Sequence, residues 1–283
     1  MAQIRSSGTW GSALTSDEFA AVRGVGFDPV GQVFGAAVYS VGQAGYSCPG
    51  TWRTTPAAQP ATQLSGQGSF GPLVQAMGQA RDKAMARLAA ECGQLGGHGV
   101  VGVRLSMGSF PAGGPEFMVI GTAVRARGVA PGLRVPFTSG LSGQDFAKLI
   151  TTGWVPAGLV LGISIGSRHD DRTTARQTRL VAGNAEVAGW TELVSESRRD
   201  ARRGLERDVR RLGAEGVVIA SMPLRVRERD CPAQVGRRDH VVEATFVGTA
   251  VTRFSRTGPR HAGPPLTVMS LNPRPDQVSR IRI

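Results

Sequence analysis

The chain has 283 residues, 41% hydrophobic and 19% charged, a balance that excludes a disordered chain and leaves room for two domains of ordinary size. Its net charge of +12 comes almost wholly from arginine, because Lys83 and Lys148 are the only lysines. No run approaches the ~18 apolar residues of a membrane helix. Residues 1–5 lack the layout of a secretory signal, and Cys48, Cys92 and Cys231 share no spacing. A reduced, cytoplasmic protein without a disulfide framework is expected.

In chain order, a short helix is predicted over about 16–24 and a strand over Val30–Val38. A loop at 42–69, rich in Gly, Pro, Ser, Thr and Gln, leads to a long helix over about 72–95. In that helix Leu73, Met77, Ala80, Ala84, Leu88, Cys92 and Leu95 recur at helical spacing, up to a stop at Gly96-Gly97. Two strands follow, Gly99–Met107 and Phe117–Arg125. The same order then returns: helix 143–152, strand Ala157–Ile165, long helix 190–212, strands Gly216–Val226 and Val241–Phe254.

The recurrence is legible residue by residue. At a shift of 127, Leu14, Phe19, Gly26, Pro29, Gly31, Val33 and Gly35 meet Leu141, Phe146, Gly153, Pro156, Gly158, Val160 and Gly162. At a shift of 117, Arg81, Ala84, Leu88, Leu95, Gly99, Val100 and Val101 meet Arg198, Ala201, Leu205, Leu212, Gly216, Val217 and Val218. The shift then returns to 127, where Glu116 and Gly121-Thr122-Ala123-Val124 meet Glu243 and Gly248-Thr249-Ala250-Val251. The fold class is therefore α+β, two tandem copies of a strand–helix–strand–strand unit, each with a short preceding helix. The expected units are 12–130 and 131–256, with a basic, Pro-containing tail at 257–283.

Three segments carry a family resemblance: Gly-Phe-Asp-Pro-Val-Gly-Gln-Val-Phe-Gly at 26–35, Gln-Leu-Gly-Gly-His-Gly-Val-Val-Gly-Val at 94–103, and Phe-Met-Val-Ile-Gly-Thr-Ala-Val at 117–124. Together they resemble the YbjQ-like domains, a family labelled heavy-metal-binding, and the second copy looks like the same domain. The resemblance implies a small α+β subunit that assembles into rings.

The label makes metal the first chemistry to weigh. Soft metals need Cys and His converging on one point. The one close pair, Cys92 and His98, has Val209 and Glu215 as counterparts, so no duplicated metal site is expected. Cys92 continues an apolar stripe, while His169 beside Asp170-Asp171 and Asp239-His240 read as isolated loop or strand-edge residues. Gly66-Gln67-Gly68-Ser69-Phe70-Gly71 fits a dinucleotide-binding spacing but does not follow a strand directly, so flexibility before the helix is the expected role. Gly162-Ile163-Ser164-Ile165-Gly166 fits a nucleophile elbow. Ser164, however, sits between β-branched residues that resist a strained turn, and a strand serine is expected. Gly31, Val33 and Gly35 share one strand face, as do Gly158, Val160 and Gly162, which predicts close helix packing. No catalytic, cofactor-binding or metal-ligating residue is assigned.

Charge is uneven along the chain. Residues 1–130 carry nine basic and six acidic side chains, leaving 24 and 15 for the remainder. Arg225, Arg227 and Arg229 alternate onto one strand face, followed by Arg237 and Arg238, and together they form the candidate anion-binding set. The leading expectation is a non-catalytic, oligomer-forming tandem protein with an assembly or ligand- and partner-binding role. The alternative is a binding module for an anionic partner such as nucleic acid, acting through the arginine-rich second copy. No membrane association is expected.

Overall fold

A computed structural model describes residues 11–39, 62–63, 70–109, 115–130, 135–179, 183–230 and 238–254. The tail at 257–283 and nearly all of the loop at 42–69 lie outside them. The elements are α1 (Ser16–Gly24), β1 (Phe27–Val38), β2 (Thr62–Gln63), α2 (Gly71–Gln94), β3 (Gly99–Ser109), β4 (Pro115–Ala126) and β5 (Phe137–Thr138). They continue with α3 (Gly143–Thr151), β6 (Trp154–His169), α4 (Arg172–Gln177), α5 (Ala188–Arg211), β7 (Gly216–Ser221), β8 (Leu224–Asp230) and β9 (Arg238–Arg253). Among the described residues no helix is long and apolar enough to cross a membrane.

The two halves build the same sheet from the same local chemistry. The strand order is β1-β4-β3 in the first and β6-β9-β7 in the second. Each first strand bulges at the same place, between Pro29 and Gly31 and between Pro156 and Gly158, because proline has no N–H to give the ladder. The short helices start on matching caps. Thr15 accepts from the Glu18 amide and Ser142 from the Asp145 amide, which satisfies an otherwise unpaired N–H of the first turn. The paired glycines are spacers. A Cβ on Gly35 would lie 2.1 Å from the Ala84 carbonyl oxygen, and one on Gly162 would lie 1.9 Å from that of Ala201, so each long helix rests directly on its sheet.

The layers run sheet, helix, sheet, helix. One side of α2 packs on Val33, Val119 and Ala123 of the first sheet; Leu161 and Ile165 of β6 join the same core, which places α2 between the sheets. The other face of β6 carries Val160, which packs with Ala201 and Leu205 of α5. A smaller core joins the halves: Val22, Val101 and Val124 of the first pack with Leu141 and Phe146 of the second.

Three details depart from the expected pattern. The strand expected over Gly216–Val226 is interrupted at Met222-Pro223, so β7 and β8 pair separately with β9. Proline again explains the break. β5, which lies beyond the expected unit boundary at 130/131, runs parallel to β3 and so belongs to the first sheet. Conversely, β2 comes from the first half and pairs with β6 at Thr62↔Arg168 and Gln63↔Ser167.

Candidate functional site

The densest polar constellation in the described residues sits where β6 ends and β9 begins. The antiparallel register sets His169 opposite Asp239 and Arg168 opposite His240. His169 Nδ1 lies 2.7 Å from Asp239 Oδ1, and Asp239 is wholly buried. Arg229 of β8 reaches the other oxygen of that carboxylate at 3.4 Å. His240 stands between two carboxylates, with Nδ1 3.1 Å from Asp170 and Nε2 3.3 Å from Glu228. The Trp190 indole donates to Asp170 at 3.1 Å and tilts against the His240 ring at a centroid distance of 4.6 Å. The Arg238 guanidinium, 2.6 Å from Glu228, and after it His240, hold the Glu228 carboxyl below its usual range.

This corrects the expectation that His169, Asp170, Asp239 and His240 are isolated. The signal was present in the repeat. Pairing Gly158 with Ala250, as Gly31 pairs with Ala123, and counting outward along antiparallel strands brings His169 opposite Asp239. The network is one of mutual charge compensation, and it fastens the ends of β6, β8 and β9 to the start of α5. Among the described residues no three His, Cys, Asp or Glu side chains are gathered to hold a metal ion.

The candidate arginines divide. Arg229 and Arg238 are committed to Asp239 and Glu228, and Arg237 lies outside the described residues. Arg225 and Arg227 wall a cleft of about 290 Å³ between the halves, whose floor is Phe70, Leu73, Ile165 and Val241. Glu243, opposite Arg225 in register, lines the same cleft and offsets part of its positive charge.

The Cys92 and His98 pair does not fit a metal. The Cys92 thiol is fully buried, donates to the Gly99 carbonyl at 3.3 Å, and is pushed up to about 12 by desolvation, whereas a metal needs a thiolate. Both His98 nitrogens are used. Nδ1 accepts the Ala126 amide at 3.0 Å, which leaves the Nε2 proton for the Ala130 carbonyl, also at 3.0 Å. Cys48 and Cys231 lie outside the described residues. Ser164 is a buried strand serine whose hydroxyl donates to Asp200 at 2.9 Å, as its β-branched neighbours predict. Of the dinucleotide-like spacing at 66–71, only Phe70 and Gly71 are described, and they open α2 without a side-chain cap.

Comparison with known proteins agrees with this architecture. The model of the family described as "Putative heavy-metal-binding" matches residues 60–127. An encapsulin nanocompartment protein of Mycobacterium tuberculosis is 34% identical over 252 residues, 86% of this chain and 85% of the relative. A UPF0145 protein of Acinetobacter baylyi is 36% identical over 70 residues, 25% of this chain and 65% of the relative.

Proposed function

The chain belongs to the YbjQ-like family, and from that premise we propose that it is a non-catalytic tandem protein whose role is assembly into a homo-oligomer. One observation carries the reading. The outer face of the first sheet leaves Phe34 45% and Val38 44% exposed, with Met118 beside them in register. A contiguous apolar sheet face is rarely left to water by a soluble monomer. The equivalent face of the second sheet is covered by α2. A relative named for an encapsulin nanocompartment is in keeping with an assembly role. Light scattering on dilute protein is expected to give a multiple of 29.7 kDa, and a stable single-chain species would overturn the reading. Turnover in a broad hydrolase and oxidoreductase screen, lost on Ser164→Ala or His169→Ala, would overturn its non-catalytic part.

The anionic-partner alternative has a narrower footing. Of its five candidate arginines, Arg225, Arg227 and Arg229 line an open cleft among the described residues, and Arg229 is held there by Asp239.

A further inference from the structure

The duplication makes the chain its own record of how two units join. Within one chain, the segment before α3 lies along β3. The Ser139 amide donates to the Val100 carbonyl at 2.8 Å, and the Val103 amide returns to the Ser139 carbonyl at 2.8 Å. Leu141 and Phe146 then pack on Val22, Val101 and Val124. At the far side, Arg81 of α2 pairs with Asp208 of α5, whose carboxylate also accepts the Leu161 amide at 3.3 Å. Leu161 is left 7% exposed.

Both sides of this junction exist a second time, and there they lie apart. The counterpart of Val101 is Val218, which is 40% exposed where Val101 is 0%. Among the described residues no strand lies along the outer edge of β7. The counterparts of Ser139, Leu141 and Phe146 are Ser12, Leu14 and Phe19, and that segment is already shaped for the task. The Leu14 amide is held by Ser12 Oγ at 3.1 Å, as the Leu141 amide is by Ser139 Oγ at 3.2 Å. The Ala13 amide donates to Thr122 and the Gly140 amide to Thr249, both at 3.0 Å. Phe34, the counterpart of Leu161, is bare, and its amide is held by Glu91 at 2.8 Å just as that of Leu161 is by Asp208.

We propose that the β7 edge and outer α5 face of one protomer receive the Ser12–Leu14 segment, α1 and the Phe34 face of the next, repeating between chains the junction that joins the halves within a chain. The proposal rests on the assembly reading and names its partner and its surface. The Ser12 amide then donates to the Val217 carbonyl by addition to a sheet edge, and Arg198 meets Glu91 as Arg81 meets Asp208. The match ends near Ile219. Its counterpart Gly102 has φ +67°, whereas no described non-glycine residue has positive φ. Arg202 stands where the internal junction has Met85, so the contact between chains is the more polar of the two. Such a contact is heterologous, with different surfaces on its two sides, and it closes into a ring when the rotation between units permits. With two units per chain, the ring holds an even number of units.

The test uses two full-length variants, each with a charge at a side chain that is not buried within the chain. Val218→Glu spoils the receiving side and Phe19→Glu the inserting side, while Val218→Thr is the mild control. Each Glu variant is expected to drop the light-scattering mass to a single chain while its melting temperature stays that of a folded protein, and Val218→Thr is expected to keep the assembly. An equal mixture of the two Glu variants still holds one good surface of each kind and is expected to give a two-chain species. If the wild type assembles and both Glu variants keep its mass, or if the mixture fails to pair, the head-to-tail surface is wrong and the assembly reading stands. If the wild type is itself a single chain, the assembly reading fails first.

Discussion

Arg81 of α2 holds Asp208 of α5, so an ion pair ties the two long helices together across the halves. Its side chains are 10% and 17% exposed. Asp208 also accepts the Leu161 amide, and Arg81 also reaches Asp82 at 2.7 Å. The pair fixes the seating of α2 between the sheets, because both ends are anchored to backbone or to a second charge.

Removing one partner is therefore expected to cost more than removing both. Arg81→Ala leaves the largely buried Asp208 carboxylate to the more exposed Arg211, 3.2 Å away, and to the Leu161 amide, and should lower unfolding stability by about 1–2 kcal/mol. The double variant Arg81→Met/Asp208→Leu should recover more than half of that loss. Urea unfolding of the three proteins checks the order, and equal losses for the single and double variants would show that the ion pair does not set the seating.

The helix–sheet contacts at Gly35 and Gly162 predict paired defects. An added methyl meets a helix carbonyl oxygen at 2.1 Å or 1.9 Å, and that oxygen belongs to rigid backbone and cannot swing aside. Gly35→Ala and Gly162→Ala should each destabilise by at least about 2 kcal/mol through overpacking. Gly78→Ala, on α2 with nothing near its added methyl, should be neutral or slightly stabilising. Thermal melts of the three single variants compare these cases directly.

Cys92 sets an alkaline limit. Its thiol is raised to about 12 in the folded chain by desolvation, against about 8.5 for an open cysteine. A raised folded pKa means that the folded state keeps a proton which the unfolded state gives up. Its contribution to stability is present below about 8.5 and is lost as pH rises toward about 12. At pH 8 the native protein should leave Cys92 unmodified by N-ethylmaleimide, and the denatured chain should take up the reagent there, as read by peptide mass. Rapid native labelling of Cys92 would show that the thiol is open after all.

Much of the molecule can be read from residue order alone, because duplication lets one half calibrate the other. The glycines at 31, 35, 158 and 162, the helix stop at Gly96-Gly97 and the Gly-Thr-Ala-Val segments mark places where backbone shape leaves few residue choices. Those constraints are local, so they survive in the sequence as spacing. The break between β7 and β8 has its marker in Pro223, which has no N–H to donate to the ladder and so ends the strand expected over Gly216–Val226. The histidine–carboxylate cluster belongs to another kind of information. His169 and Asp239 are 70 positions apart, and only the pairing of β6 with β9 sets them opposite each other. Neither residue is marked by its neighbours. The placement of the arginines, with Arg225, Arg227 and Arg229 lining a cleft while Arg229 and Arg238 are held by Asp239 and Glu228, likewise depends on which carboxylates the strands bring near. The sequence by itself determined the α+β unit, its duplication and the close helix–sheet contacts, since each depends on residues within one or two turns or strands. Only the tertiary structure decided that Val101 is covered and Val218 bare. That difference comes from packing between the halves, and equivalent valines in equivalent strands carry no trace of it.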